Sequence, residues 1–338
     1  MVLADKLNRP LRDLRISLID RCNFRCPYCM PSEKYHHAYQ FLDREEWLSF
    51  DEIVRLTKIF VGLGVTKLRL TGGEPLLRPD IDVLIRQLSA IDGVEDLALT
   101  TNGSMLAAWA KRLKAAGLHR LTVSLDTLDE AIFKQMSGEK ASVQEVLDGI
   151  RAAELAGFES IKINAVIQRG VNDHTILDLV KHFRGTPHSV RFIEYMDVGN
   201  QNHWDRTQVV PSHEIISIIY TEFPLRRVQG TQGGDTSDIY RFKDGKGDVG
   251  FISSVTNPFC GTCSRLRLSA DGKVYTCLFA TQGMDLGSHV RNGVTDEFLS
   301  NLILGAWMKR EDRYSEVRSD PSHHSHVLPK VEMYQIGG

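Results

Sequence analysis

The sequence is 338 residues long and is poor in several things. No apolar run approaches the roughly 18–20 residues that cross a bilayer; residues 301–308 are among the longest. Neither charge sign dominates: 41 Lys and Arg stand against 43 Asp and Glu, a formal net charge of −2. That balance excludes a nucleic-acid coat, but not a local pocket of one sign. The opening residues, Met1 to Lys6, lack the apolar stretch of a secretory signal, so a cytoplasmic location without membrane attachment is expected. Cysteines number only six, and the chain is neither small nor visibly secreted, so a disulfide scaffold is not expected. What remains is ordinary: 42% hydrophobic and 25% charged residues, enough for about two domains or one large α/β barrel with an appendage.

The cysteines fall in two sets of three, Cys22, Cys26, Cys29 and Cys260, Cys263, Cys277. In a reducing compartment such sets read as metal or redox sites. Structural zinc takes four ligands. His36 or His37 could complete the first set and His289 the second, but both sets stop at three thiols. An iron–sulfur cubane held by three thiolates keeps one iron open for a ligand that takes part in chemistry. The C-x3-C-x2-C run fits a tight loop around one such cluster. For the second set alone, zinc remains an alternative.

Apolar runs alternate with helical patterns from residue 14 to about 195. Strands are expected at residues 14–19, 67–71, 96–100, 121–125, 160–166 and 190–194. Helices are expected at 50–63 (with Ser49 as N-cap), 81–90, 104–116, 143–155, 174–183 and 295–308. Six βα units imply a parallel sheet, closed or nearly closed into a barrel, with its chemistry where the strands end. Gly72-Gly73 follows one strand and lets a ligand approach the backbone, and Pro75 directs the exit. Residues 230–250 read as turns, and Asp271-Gly272 marks a hairpin between residues 265–269 and 273–276. Residues 311–330, with His323, His324 and His326, read as a solvated, flexible segment.

Arg15, Lys67, Arg69, Lys162, Arg191, Arg265 and Arg267 lie on strands at alternating positions. Cations pointing into a barrel are costly unless an anion matches them. Guanidinium forks suit phosphate oxygens, so a triphosphate is the natural guest. No Walker-type loop and no G-x-G-x-x-G is present to cradle it.

Cys22-x3-Cys26-x2-Cys29 with Tyr28 resembles the signature of the radical S-adenosylmethionine (SAM) superfamily. Further segments follow in order: 14–17, 20–23, 29–31, 70–75, 101–103, 124–126, 162–164, 191–194, Met196, Cys260-x2-Cys263-x-Arg-Leu-Arg-Leu and the terminal Ile336-Gly-Gly338. Together they resemble the GTP 3′,8-cyclase family of molybdenum cofactor biosynthesis over essentially the whole chain. The resemblance implies a partial (βα)6 TIM-like barrel at 1–200, an auxiliary-cluster and substrate-binding region at 201–310, and a flexible tail at 311–338 ending in Gly-Gly. It implies two [4Fe–4S] clusters, one on each cysteine set, with SAM contacted by Tyr28, Gly73, Ser124 and Met196. GTP would be contacted by Arg15, Arg69, Thr100, Lys162, Arg265, Leu266 and Arg267. Arg265, Arg267, Gly337 and Gly338 would belong to the reacting centre. The implied activity is that of a lyase making (8S)-3′,8-cyclo-7,8-dihydroguanosine 5′-triphosphate. An electron donor would feed it, cyclic pyranopterin monophosphate synthase would take the product, and the chain would be a monomer or homodimer. Three features depart from the family pattern: Asn8 where Gly is usual, Ile19 where Thr is usual, and segment 315–330, which has no counterpart.

Overall fold

The computed structural model describes residues 3–228, 236–318 and 329–337. His323, His324, His326 and Gly338 lie outside the described residues. Among the described residues, twelve strands form one sheet: β1 (Asp13–Ser17), β2 (Lys67–Thr71), β3 (Asp96–Thr101), β4 (Arg120–Ser124), β5 (Ile161–Ile167), β6 (Ser189–Glu194), β7 (Leu225–Val228), β8 (Asp238–Phe242), β9 (Asp248–Ile252), β10 (Arg265–Leu268), β11 (Lys273–Tyr275) and β12 (Met284–Asp285). Their order is β12-β11-β10-β1-β2-β3-β4-β5-β6-β9-β8-β7. From β10 through β1 to β6 and on to β9 every neighbouring pair is parallel, while β11–β12 and β7–β8 are antiparallel additions at the two edges. The sheet is therefore open, a curled partial barrel longer by two parallel strands than the six βα units expected.

The alternation of side chains explains the layering. Leu14, Ile16, Leu68, Leu70, Leu97, Leu99, Ile161 and Ile163 are fully buried in one core cluster beneath the helices. Each such side chain contributes about 1.5–3 kcal/mol on burial. The intervening positions face the interior of the curl, and apart from Ala98 they are polar: Arg15, Arg69 and Lys162. Register places Arg15 beside both Arg69 and Arg267, and Thr122 beside Lys162.

The helices start where their caps dictate. Ser49 and Glu52 close a capping box on helix Phe50–Gly62, and Ser142 and Glu145 close one on Val143–Leu155. Among the described helices of eight residues or more, two have no counterpart in the expected set, Glu130–Ser137 and Ser212–Glu222. Glu194, fully buried at the end of β6, accepts from the amides of Ser212, Val255 and Thr256, each at 2.8 Å. One carboxylate thus ties the barrel to the chain that follows it.

Two regional expectations need correction. The described part of 230–250 is a hairpin of β8 and β9 around a turn at 243–247, rather than turns throughout, because the free edge of β6 offers β9 a parallel partner and Phe251 stacks on Phe192. The described part of the segment read as flexible is packed instead: Tyr314–Val317 is a helical turn, Phe279 stacks on Tyr314 at 4.3 Å, and Lys330 bonds to Asp197 at 3.0 Å. The hairpin at Asp271-Gly272 forms as β10–β11, with Gly272 at φ 86°.

Candidate active site

The first cysteine loop leaves β1 and winds tightly: the amides of Cys29 and Met30 both donate to Cys26 O, at 2.9 and 2.8 Å. Gly72-Gly73 makes room for this loop. A Cβ on Gly73 would sit 2.1 Å from Arg21 O, and one on Gly72 2.5 Å from Ile19 O. Side chains there would push the cysteine loop away. Cys22, Cys26, Cys29, Tyr28, Gly73, Ser124 and Met196 all line one cavity, together with Glu74 and Asp126. Glu74 accepts from Thr101 Oγ1 (2.7 Å) and the Asn102 amide (2.8 Å), ordering the loop after β3. Tyr28 donates to Asp126 Oδ2 at 2.7 Å. Burial pushes the carboxyl of Glu74 up to about 7 and that of Asp126 up to about 6.

The second set is assembled from a 3₁₀ turn, Cys260–Thr262, and the end of the β10–β11 hairpin. Cys260, Cys263 and Cys277 line a cavity of about 180 Å³. Arg265 donates to Cys263 Sγ from Nε and Nη2, both at 3.3 Å, and Arg310 donates to the same sulfur at 3.2 Å. Burial opposes the Cys263 thiolate, but Arg265 and Arg310 outweigh it and bring that thiol down to about 6. Burial pushes Cys277 up to about 11.

These donor sets fit iron–sulfur clusters. Each supplies three free thiols to one cavity, and each has amide donors aimed at sulfur: Phe24 N to Cys22 Sγ at 3.4 Å and Phe279 N to Cys277 Sγ at 3.5 Å. The histidines considered as zinc ligands are engaged elsewhere. His289 packs edge-on against Phe298, and His36 accepts from the Ala38 amide on a separate surface depression.

The two cysteine cavities share Thr100, Asn164, Ile193, Met196 and Met333 in their walls. A third cavity, towards the N-terminal ends of the strands, shares Arg15, Arg69, Arg191 and Arg265 with the second and adds Lys67, Arg120 and Lys162. The result is a continuous column with thiols at two levels and cations at its base. Burial, reinforced by neighbouring cations, lowers Arg15 well below its usual range, Arg69 and Arg267 to about 10, and Lys162 to about 7. Such crowding is relieved by a polyanion.

Most of the residues singled out from the sequence line this column; Leu266 does not. It is fully buried in the core, because alternation along β10 turns it away from Arg265 and Arg267. Arg267 donates to the carbonyls of Ile336 (3.3 Å) and Gly337, so the C-terminal turn is held inside the curl. Gly337 is at φ 71°, and a Cβ there would meet Thr71 Cγ2 at 2.2 Å. Two of the three departures from the family pattern, Asn8 and Ile19, find a place in the structure. Asn8 adopts φ 59°, a left-handed conformation that Asn tolerates better than most residues other than Gly. Ile19 is buried against Trp47 and Ala270. Sequence reading missed Arg310 and Met333 as parts of the column, since their types and spacing carry no signal of their own; Asp126 lies in the 124–126 segment of the resemblance but was given no role.

The chain matches the Radical SAM superfamily over residues 16–183 and Molybdenum Cofactor Synthesis C over 188–316. It is 51% identical over 336 residues to the GTP 3′,8-cyclase of Xanthomonas axonopodis pv. citri (strain 306), with 99% of both chains covered. It is 50% identical over 358 residues to that of Acidothermus cellulolyticus and 44% identical over 337 residues to that of Staphylococcus aureus (strain JH9), each again with 99% of both chains covered. Among solved structures, Streptococcus suis SuiB bound to S-adenosylmethionine superposes with a TM-score of 0.63 over 98% of this chain and 73% of that one. At 14% identity, this likeness concerns the fold alone. Identity at this level along the full length, over a fold whose curl brings both cysteine sets to one column, leads to a single conclusion: the chain belongs to the GTP 3′,8-cyclase family of the radical SAM superfamily.

Proposed function

We infer that this chain is a lyase that converts GTP into (8S)-3′,8-cyclo-7,8-dihydroguanosine 5′-triphosphate, the first step of molybdenum cofactor biosynthesis. The observation that carries the reading is the column itself, with two sets of three thiols opening into joined cavities above a cationic base. On this reading residues 1–200 carry the radical chemistry, and 201–310 carry the second cysteine set and part of the GTP site. Cys22, Cys26 and Cys29 would hold one [4Fe–4S] cluster, and Cys260, Cys263 and Cys277 a second. When bound, the first cluster and SAM supply one-electron cleavage of the sulfonium to a 5′-deoxyadenosyl radical.

The chain's own residues then bind, orient and exclude water. Tyr28, fixed by Asp126, packs beside SAM with Gly73, Ser124 and Met196. Arg15, Arg69 and Lys162 hold the triphosphate, and Arg69 is pre-aimed by Thr100 and Thr122, each 3.1 Å from its Nη1. Arg265 braces Cys263, and Arg267 holds the tail carbonyls, so Gly337 is presented to the reacting centre without a side chain in the way. Ribose C3′ and guanine C8 are thereby confined between the two cysteine sets. An external electron donor, transfer of the product to cyclic pyranopterin monophosphate synthase, a cytoplasmic location and a monomeric or homodimeric state complete the proposal. Among the described residues no helix is long and apolar enough to cross a membrane.

The test is anaerobic reconstitution with iron and sulfide, followed by SAM, a reductant and GTP deuterated at C3′. Deuterium in 5′-deoxyadenosine together with a GTP isomer of new retention time is the expected result. SAM cleavage with GTP recovered unchanged overturns the assignment.

A further inference from the structure

The N-terminal turn is built around a carboxylate rather than an apolar plug. Asp5 accepts from the amides of Leu7 and Arg9 on Oδ1, both at 2.9 Å. Its Oδ2 takes Arg9 Nε at 2.6 Å and Arg310 Nη1 at 3.1 Å. All three side chains are buried, with 0% exposure for Asp5, 1% for Arg9 and 2% for Arg310. A buried ionic triad gains little over apolar packing as a source of stability, so its retention calls for another role.

Other guanidinium donors point to that role, besides one bond from Arg9 Nη1 to Asp312 O at 2.8 Å. Arg9 Nη1 donates to Cys260 O at 2.8 Å. Arg310 donates to Cys263 O at 2.7 Å, to Cys263 Sγ at 3.2 Å, and from Nε to the carbonyl of Thr276 at 3.0 Å, one residue before Cys277. Two arginines sharing one carboxylate thus grip the backbone at or next to all three cysteines of the second set, on segments that sequence keeps apart. The indole of Trp307 closes the bracket: it donates to Arg9 O at 3.2 Å and lies under the Arg310 guanidinium at 4.5 Å.

We propose that Asp5, Arg9 and Arg310 form a positioning bracket for the second cluster: they hold its three cysteines at their working separation, and the Arg310 N–H···S contact makes that cluster easier to reduce than the first. Hydrogen bonds and positive charge at cluster sulfurs favour the reduced state. The proposal rests on the reading that Cys260, Cys263 and Cys277 hold a cluster.

The experiment uses the full chain in a background with Cys22, Cys26 and Cys29 replaced by Ala, so that only the second cluster is seen. Iron, sulfide and an EPR-monitored redox titration are measured after anaerobic reconstitution. The parent background should bind about four irons per chain. Arg310→Lys keeps the charge beside Asp5 but loses the fork; it should retain iron, with the midpoint potential shifted down and altered g-values. Arg310→Met and Asp5→Asn should bind less than about half of the parent's iron. The same three substitutions in the otherwise native chain should leave the iron and EPR signal of the first cluster intact. Unchanged iron, potential and spectrum in both Arg310→Lys and Arg310→Met overturn the proposal. So does parallel loss of the first cluster in the native background, which would mark a general folding role. A parent background that takes up no iron overturns the two-cluster reading itself, and the bracket with it.

Discussion

The first cysteine loop and the second differ in what surrounds their sulfurs. Cys22, Cys26 and Cys29 share their cavity with two buried carboxyls, Glu74 and Asp126. Burial, with Glu74 as the next contributor, pushes Cys22 up to about 12. Cys260, Cys263 and Cys277 share theirs with Arg265, Arg267 and Arg310. Negative or neutral surroundings resist the addition of an electron, and cationic surroundings welcome it. The first site is therefore suited to a strongly reducing cluster, and the second to holding charge and an anionic nucleotide. The two loops also differ in how they are held. The first is packed against the glycine turn that follows the neighbouring strand β2, whereas the second is bracketed by residues from both ends of the chain.

The largest effects come from removing one loop at a time. Cys26→Ala should abolish SAM cleavage and cyclisation while the second cluster keeps its iron; loss of both clusters together would break the separation of the two sites. Cys277→Ala should spare SAM cleavage, read as 5′-deoxyadenosine, and abolish the cyclised nucleotide. Gly73→Ala should act like loss of the first cluster, since its Cβ would collide with Arg21 O; wild-type iron content would contradict that reading. Arg15→Ala or Arg69→Ala removes a charged contact worth about 1.5–3 kcal/mol, and should weaken GTP binding roughly 10- to 150-fold with SAM affinity within about twofold. Equilibrium dialysis with each ligand checks this.

The smallest effect sharpens the electrostatic side of the comparison. Burial first, then Arg191 and its neighbours, lowers the Lys162 ammonium to about 7. A bound triphosphate favours the charged form, so GTP binding should take up a proton. Affinity should then hold below about pH 7 and fall by up to about tenfold per unit above it. Calorimetry in buffers of different ionisation enthalpy reads the proton, and Lys162→Gln should flatten the slope.

Much of this was legible beforehand for a local reason. Cys22, Cys26 and Cys29 crowd eight residues, and the inward cations follow from alternation along single strands. The same alternation, applied consistently, turns Leu266 away from the nucleotide. Strand β9 was not legible: Asp248-Val-Gly-Phe-Ile252 is short and interrupted by glycine, and it extends only because β6 presents an open edge. Arg310 was not legible either, since an arginine just past a helix ordinarily lies in solvent.

Taken alone, the order of residues determined the donor sets, the faces of the strands and the turns that need glycine, because each depends on neighbours a few positions apart. Tertiary structure decided that the two cysteine sets share one column and that Asp5 meets Arg310. Those outcomes follow from β10 pairing with β1, a contact across some 250 residues that only the curl of the whole sheet brings about.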